Sequence, residues 1–159
     1  MKNNMKHIKL FESFEDIESI CRKYGITNYT INSDESIDVD GNVNLYEKGL
    51  TKLPLKFGNV TGHFNCSNNK LTTLEGSPKE VGGGFYCEYN QLTSLKGGPS
   101  KLGGDFYCSD DKLPKLILDN MKHIKKIVEY QEDYLIWRSN GSLDEYKFND
   151  MMEEINDEI

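Results

Sequence analysis

Phe85-Tyr-Cys87-Glu-Tyr-Asn90-Gln-Leu92-Thr-Ser-Leu95 is the stretch on which the fold turns, because the chain carries versions of it on either side. Phe64-Asn-Cys66-Ser-Asn-Asn69-Lys-Leu71-Thr-Thr-Leu74 precedes it, and Phe106-Tyr-Cys108-Ser-Asp-Asp111-Lys-Leu113 follows. Cys66, Cys87 and Cys108 stand 21 residues apart, and the columns Leu71, Leu92, Leu113 and Leu74, Leu95, Leu116 keep that step. One period earlier Leu45, Leu50 and Leu53 fill the same columns, while Val60, Val81 and Leu102 align between blocks, as do Pro78 and Pro99. A fixed period of this size marks a repeat architecture.

The unit has a physical reading. Phe64 and Cys66 are two residues apart, so in a strand both face one side and Asn65 the other. One unit cannot bury its apolar side alone, whereas stacked units form a continuous parallel ladder. The column Asn69, Asn90, Asp111 is expected to hydrogen-bond the backbone of the turn leaving each strand. Gly82-Gly-Gly84 and Gly103-Gly104 are expected to permit tight turning before each strand.

These columns resemble the leucine-rich repeat, L-x-x-L-x-L-x-x-N-x-L. Phe64-x-Cys66-x-x-Asn69-x-Leu71 and its two successors match the latter part of that pattern. The first Leu column departs, shifting to Val60, Val81 and Leu102 with glycines after them. The short period and Leu53-Pro54 are similar to short bacterial-type repeats, which implies an extended or polyproline-like convex side. The resemblance covers residues 36–116. It implies an α+β leucine-rich-repeat solenoid with a parallel strand ladder.

Repeat arrays need atypical ends, so three segments are expected: a helical N-terminal cap at 1–35, the ladder with a leading hairpin at 36–116, and a helix/hairpin/helix C-terminal cap at 117–159. Residues 11–24 put Phe14, Ile17, Cys21 and Tyr24 on one helical face, with Ser13 as N-cap and Gly25 at the end. Ile37–Leu45 alternates around Asp40-Gly41 and reads as a hairpin. Asp119–Glu132 has helical spacing, Tyr134–Phe148 reads as a second hairpin around Ser139–Gly141, and a short acidic helix is predicted from about Asn149. The opening Met5-Lys-His-Ile-Lys-Leu-Phe-Glu-Ser-Phe14 resembles the start of many tailed-bacteriophage proteins, which implies expression in a bacterial cytoplasm.

Composition narrows the function. The chain has 159 residues, 36% hydrophobic and 28% charged, with 19 Lys plus Arg against 26 Asp plus Glu and a formal charge of -7. An acidic chain without a basic cluster is a poor general nucleic-acid binder. Its apolar runs are too short to span a membrane, and the N-terminus lacks the apolar core of a secretory signal, so a cytoplasmic protein is expected.

Catalytic and metal signatures are weak. Asp38, Asp40 and Glu47 approach the spacing of a calcium loop, with Gly41 at its glycine position, but Ser36 replaces the first aspartate and no helices flank them. No Cys-x-x-Cys or His-x-x-x-His occurs, and the cysteines read as small hydrophobes in a leucine column. Cys108-Ser-Asp110 is similar to the Cys-x-Asp motif of bacterial ubiquitin ligases bearing leucine-rich repeats. An inward cysteine followed by only a short tail does not fit such an enzyme. His7, His63 and His123 are scattered. The reading is non-enzymatic, without cofactor or metal.

What remains is the outward strand face. One column holds Asn44, Asn65, Tyr86 and Tyr107; the next holds Tyr46, Ser67, Glu88 and Ser109. His63 and Asp105 flank them on one side, Tyr89 and Asp110 on the other. Tyrosines among acids and small polar groups suit protein recognition. The expected partner is another protein, basic or with exposed cations, and host-derived if the phage resemblance holds. The alternatives are a structural protein of a virion or oligomer, or a calcium binder through Asp38–Glu47.

Overall fold

The computed structural model describes residues 14–109 and 112–158. Residues 14–23 form helix α1, and nine short strands follow among the described residues. These are β1 (Tyr29–Ile31), β2 (Ile37–Val39), β3 (Val43–Asn44), β4 (Phe57–Val60), β5 (Phe64–Asn65), β6 (Glu80–Val81), β7 (Phe85–Tyr86), β8 (Lys101–Leu102) and β9 (Phe106–Tyr107). They build two sheets, ordered β1-β2-β4-β6-β8 and β3-β5-β7-β9. Within these two sheets β1 with β2 is antiparallel and the other described pairs are parallel. The molecule is a solenoid of stacked parallel coils, each contributing one short strand to each sheet.

The 21-residue columns become layers. Phe64, Phe85 and Phe106 are in register, and successive rings stack 5.2 Å apart, close to the ~4.8 Å between strands. Phe57 meets the end of this stack edge-on at 5.0 Å. Val60, Val81 and Leu102 form the matching column of the other sheet. Leu71, Leu74, Leu92, Leu95, Cys66 and Cys87 are fully buried on the irregular side of the coils.

The glycines act at the corner between the two strands of a coil. A Cβ on Gly82 would lie 2.1 Å from the Thr61 carbonyl oxygen, and one on Gly103 would lie 2.0 Å from that of Gly82. Close approach of the neighbouring coil, more than turning freedom, selects glycine there. Asn69 and Asn90 satisfy the backbone as their spacing predicts. Asn69 Oδ1 accepts from the N–H groups of Lys48 and Leu50 at 3.0 Å each, while Nδ2 donates to the carbonyls of Leu45 and Cys66. Asn90 repeats the arrangement with Leu71 N–H and the carbonyls of Cys66 and Cys87. Asp111, the third member of the column, lies outside the described residues, as does Ser13.

Several local expectations are corrected. Ile37–Leu45 is not a hairpin: β2 pairs with β4 and β3 with β5, so Asp40-Gly41 is the corner of the first coil. The hairpin lies earlier, between β1 and β2. Asp119–Glu132 is not one helix but a turn after α2 (Lys115–Leu118), a 3-10 turn at Met121–His123 and α3 (Ile124–Tyr130). Asn120 breaks it, with backbone φ at -118° and Nδ2 donating to the Leu116 carbonyl. The second hairpin reduces to one antiparallel bridge, Trp137 to Leu143. The last helix, α4, runs Glu145–Asp157, starting earlier than expected because Asp144 accepts from Lys147 N–H as N-cap.

Asn69→Ala removes the acceptor of two N–H groups, one of them buried. Chemical denaturation is expected to show a loss of about 2–4 kcal/mol.

A second prediction concerns alkali. The Tyr134 hydroxyl donates to the Glu154 carboxylate, which, with partial desolvation, pushes its pKa up to about 12 from 10.0. A raised folded pKa gives stability that is whole below pH 10 and lost as pH climbs toward 12. Tyr134→Phe therefore makes the denaturation midpoint fall less steeply over that window.

Candidate functional site

The outward positions of β3, β5, β7 and β9 are Asn44, Asn65, Tyr86 and Tyr107, held in one line by the strand register. The two asparagines serve the backbone: Asn44 Oδ1 accepts from Tyr46 N–H at 3.0 Å and Asn65 Oδ1 from Ser67 N–H at 2.9 Å. The two tyrosines have no such role. Their rings stack at 4.8 Å and 7°, and His63 lies 6.0 Å from the Tyr86 ring.

The column before the strands is Asn42, His63, Gly84, Asp105. Asn42 Oδ1 accepts from His63 N–H, and His63 Nδ1 accepts from Gly84 N–H, both at 2.8 Å. The second bond assigns the imidazole proton to Nε2. A Cβ on Gly84 would come within 3.0 Å of the Tyr86 phenol, so the glycine leaves room for that ring. Asp105 receives the Tyr107 hydroxyl at 3.4 Å, and its charge raises the Tyr107 phenol pKa above the ordinary value.

Past the strands, Glu47, Asn68 and Tyr89 all adopt left-handed backbone, with φ of 53°, 56° and 56°. Asparagine tolerates this conformation; a tyrosine does not gain from it. Tyr89 is 69% exposed, and its N–H donates to Ser109 Oγ at 3.3 Å. Tyr46 is also exposed, at 44%.

The expected face thus divides. His63, Asn65, Tyr86, Glu88, Asp105 and Tyr107 come together, with Tyr46 and Tyr89 in the adjoining turns. Ser67 does not belong: it is buried at 4%, and its Oγ has no hydrogen-bond partner. Asp110 lies outside the described residues. Asn42 and Ser109 support this face through backbone bonds that no residue spacing announced.

The other constellations go elsewhere. Asp38 Oδ1 accepts from Asn59 N–H and Asp40 Oδ1 from Thr61 Oγ1, both ties to the next coil. Glu47 sits in the turn beyond β3. No group of three or more His, Cys, Asp or Glu is placed to hold a metal among the described residues. The cysteines stand as thiols: Cys21, Cys66 and Cys87 are buried, and Cys108 is half-buried. Burial pushes the Cys21 thiol pKa up, away from nucleophilic character. A cleft of about 410 Å³ over the Gly76 and Gly97 turns carries Lys56, Lys79 and Lys96 against Asp34, Glu75 and Glu132, a balanced charge set. Among the described residues no helix is long and apolar enough to cross a membrane.

No family model matches the chain, and no curated protein or solved structure matches it.

Tyr89→Asn copies the residue that the preceding coil uses at this position. It is expected to raise the unfolding free energy by about 1 kcal/mol, measured by denaturant titration.

Proposed function

We propose that the chain is a non-enzymatic, protein-binding repeat module of the short leucine-rich type, working through the tyrosine-bearing face of its four-stranded sheet. The observation that carries this reading is the pair Tyr86 and Tyr107. At the positions where earlier coils place asparagines that satisfy their own turns, the later coils place large rings on the outside. Tyrosine supplies large, rigid contact area at low entropic cost, and it is enriched in binding hot spots. Tyr89 and Tyr46 widen the aromatic area, while Glu88 and Asp105 give it negative charge. Such a face selects a partner with exposed cationic side chains.

Under this reading, the helical segments before and after the coils are caps. If the phage-like opening reflects origin, the module acts in a bacterial cytoplasm on a host protein.

The test is affinity capture from bacterial lysate with wild type beside a Tyr86→Asn/Tyr107→Asn double variant. Asparagine recreates the side-chain bond seen at Asn44 and Asn65, so the variant is expected to melt within a few degrees of wild type. A captured protein that the variant loses by tenfold or more supports the reading. Equal capture overturns it.

A further inference from the structure

Tyr107 ends the outward ring column. Tyr86 has a ring on each side, His63 and Tyr107, whereas Tyr107 has a ring only on the Tyr86 side among the described residues. It is correspondingly 40% exposed, and no cation of the described residues sits over it. Asp105 ends a column as well. In that column Asn42 and His63 each reach forward to accept an N–H from the next coil. Beyond β9 no further strand follows among the described residues. Asp105 therefore has no next coil to bond, and among the described residues its exposed carboxylate holds the long contact from the Tyr107 hydroxyl. Neither Asp105 nor Glu88 takes part in an ion pair among the described residues.

We propose that the outer ring face of Tyr107, with Asp105 beside it, seats an arginine side chain of the partner protein. This rests on the protein-binding reading of the face and deepens it by naming the group recognised. A guanidinium is planar, so it can lie on the ring while its N–H fork meets a carboxylate. A lysine ammonium matches the charge but not the plane. The Asp105 charge, which is the first cause of the raised Tyr107 phenol pKa, is one a cation on that ring would meet. Diffuse attraction to a chain of net charge -7 would serve lysine as well as arginine and would ignore Tyr107.

The experiment is fluorescence anisotropy of labelled hexa-arginine and hexa-lysine peptides against the full chain. Wild type is expected to bind hexa-arginine about threefold tighter, the margin of a stacked guanidinium with its N–H fork on a carboxylate over the point charge of lysine. Tyr107→Asn, which copies Asn44 and Asn65, should bring the ratio to about one. Tyr107→Phe, which keeps the ring and guards against a misfolded first variant, should preserve the ratio. Asp105→Asn, which copies Asn42, should weaken both peptides. Equal binding of the two peptides by wild type, or a preference that survives Tyr107→Asn, overturns the proposal. If the preference is absent while lysate capture still depends on the tyrosines, the arginine seat fails alone. If capture ignores them, the binding face itself fails.

Discussion

Across the four-stranded sheet, alternate N–H groups of each coil donate to carbonyls twenty residues further along the chain, while at the five-stranded sheet Gly82 and Gly103 donate back to Val60 and Val81. Phe64 N–H reaches Gly84 at 3.0 Å, Cys66 reaches Tyr86 at 2.8 Å, and Phe85 and Cys87 reach Asp105 and Tyr107 at 2.9 Å. These bonds fix a single register, since a slip of one residue would turn the Phe column outward and the Asn and Tyr column inward. The Phe stack, the asparagine ladder and the glycine corners all inherit their 21-residue step from that constraint. It also sets a problem at the ends, where a coil has no neighbour to receive its groups. On the five-stranded sheet, β1 pairs along β2, and at β8 the Glu129 carboxylate of α3 accepts from Leu102 N–H at 2.9 Å. Gln131 extends the closure by donating to the Leu95 carbonyl and accepting from the Trp137 indole.

The columns were legible because stacking makes each position solve the same problem in every coil. Phe64, Phe85 and Phe106 declare a buried layer, and Asn69 and Asn90 declare a turn that needs an acceptor and donors at once. The division of each coil into two strands was not legible. Val60, Val81 and Leu102 are lone apolar residues before glycines, and alternation over so short a stretch has no direction of its own. Asp40-Gly41 failed for the same reason. Local turn chemistry fits a hairpin and a coil corner equally, and long-range pairing with Phe57 and Phe64 decides between them. The break at Asn120 depends on a side chain folding back on its own helix, which propensity does not announce.

The face was legible in outline because period two assigns Asn65, Tyr86 and Tyr107 to one side. Its edge was not. Ser67 follows the same alternation, yet the chain turns immediately after the two-residue strand, and the alternating rule ends where the strand does. Beyond that point the left-handed residues Glu47, Asn68 and Tyr89 redirect the chain, so exposure follows turn geometry instead.

The repeat supplies its own reference for separating fold from function. Replacing Asn44 or Asn65 by a tyrosine one or two coils later removes a local hydrogen bond, but the stacked pair returns about 0.5–1.5 kcal/mol. The stack therefore accounts for the bond that is lost at Tyr86 and Tyr107. No such account serves Tyr89. Its backbone conformation disfavours a bulky side chain, its ring stands mostly in solvent, and the coil before it shows that asparagine fits the same place. Its N–H is tied to Ser109, two residues beyond Tyr107, so this exposed, left-handed residue stands at the same end of the ladder as the Tyr107 ring and the Asp105 carboxylate.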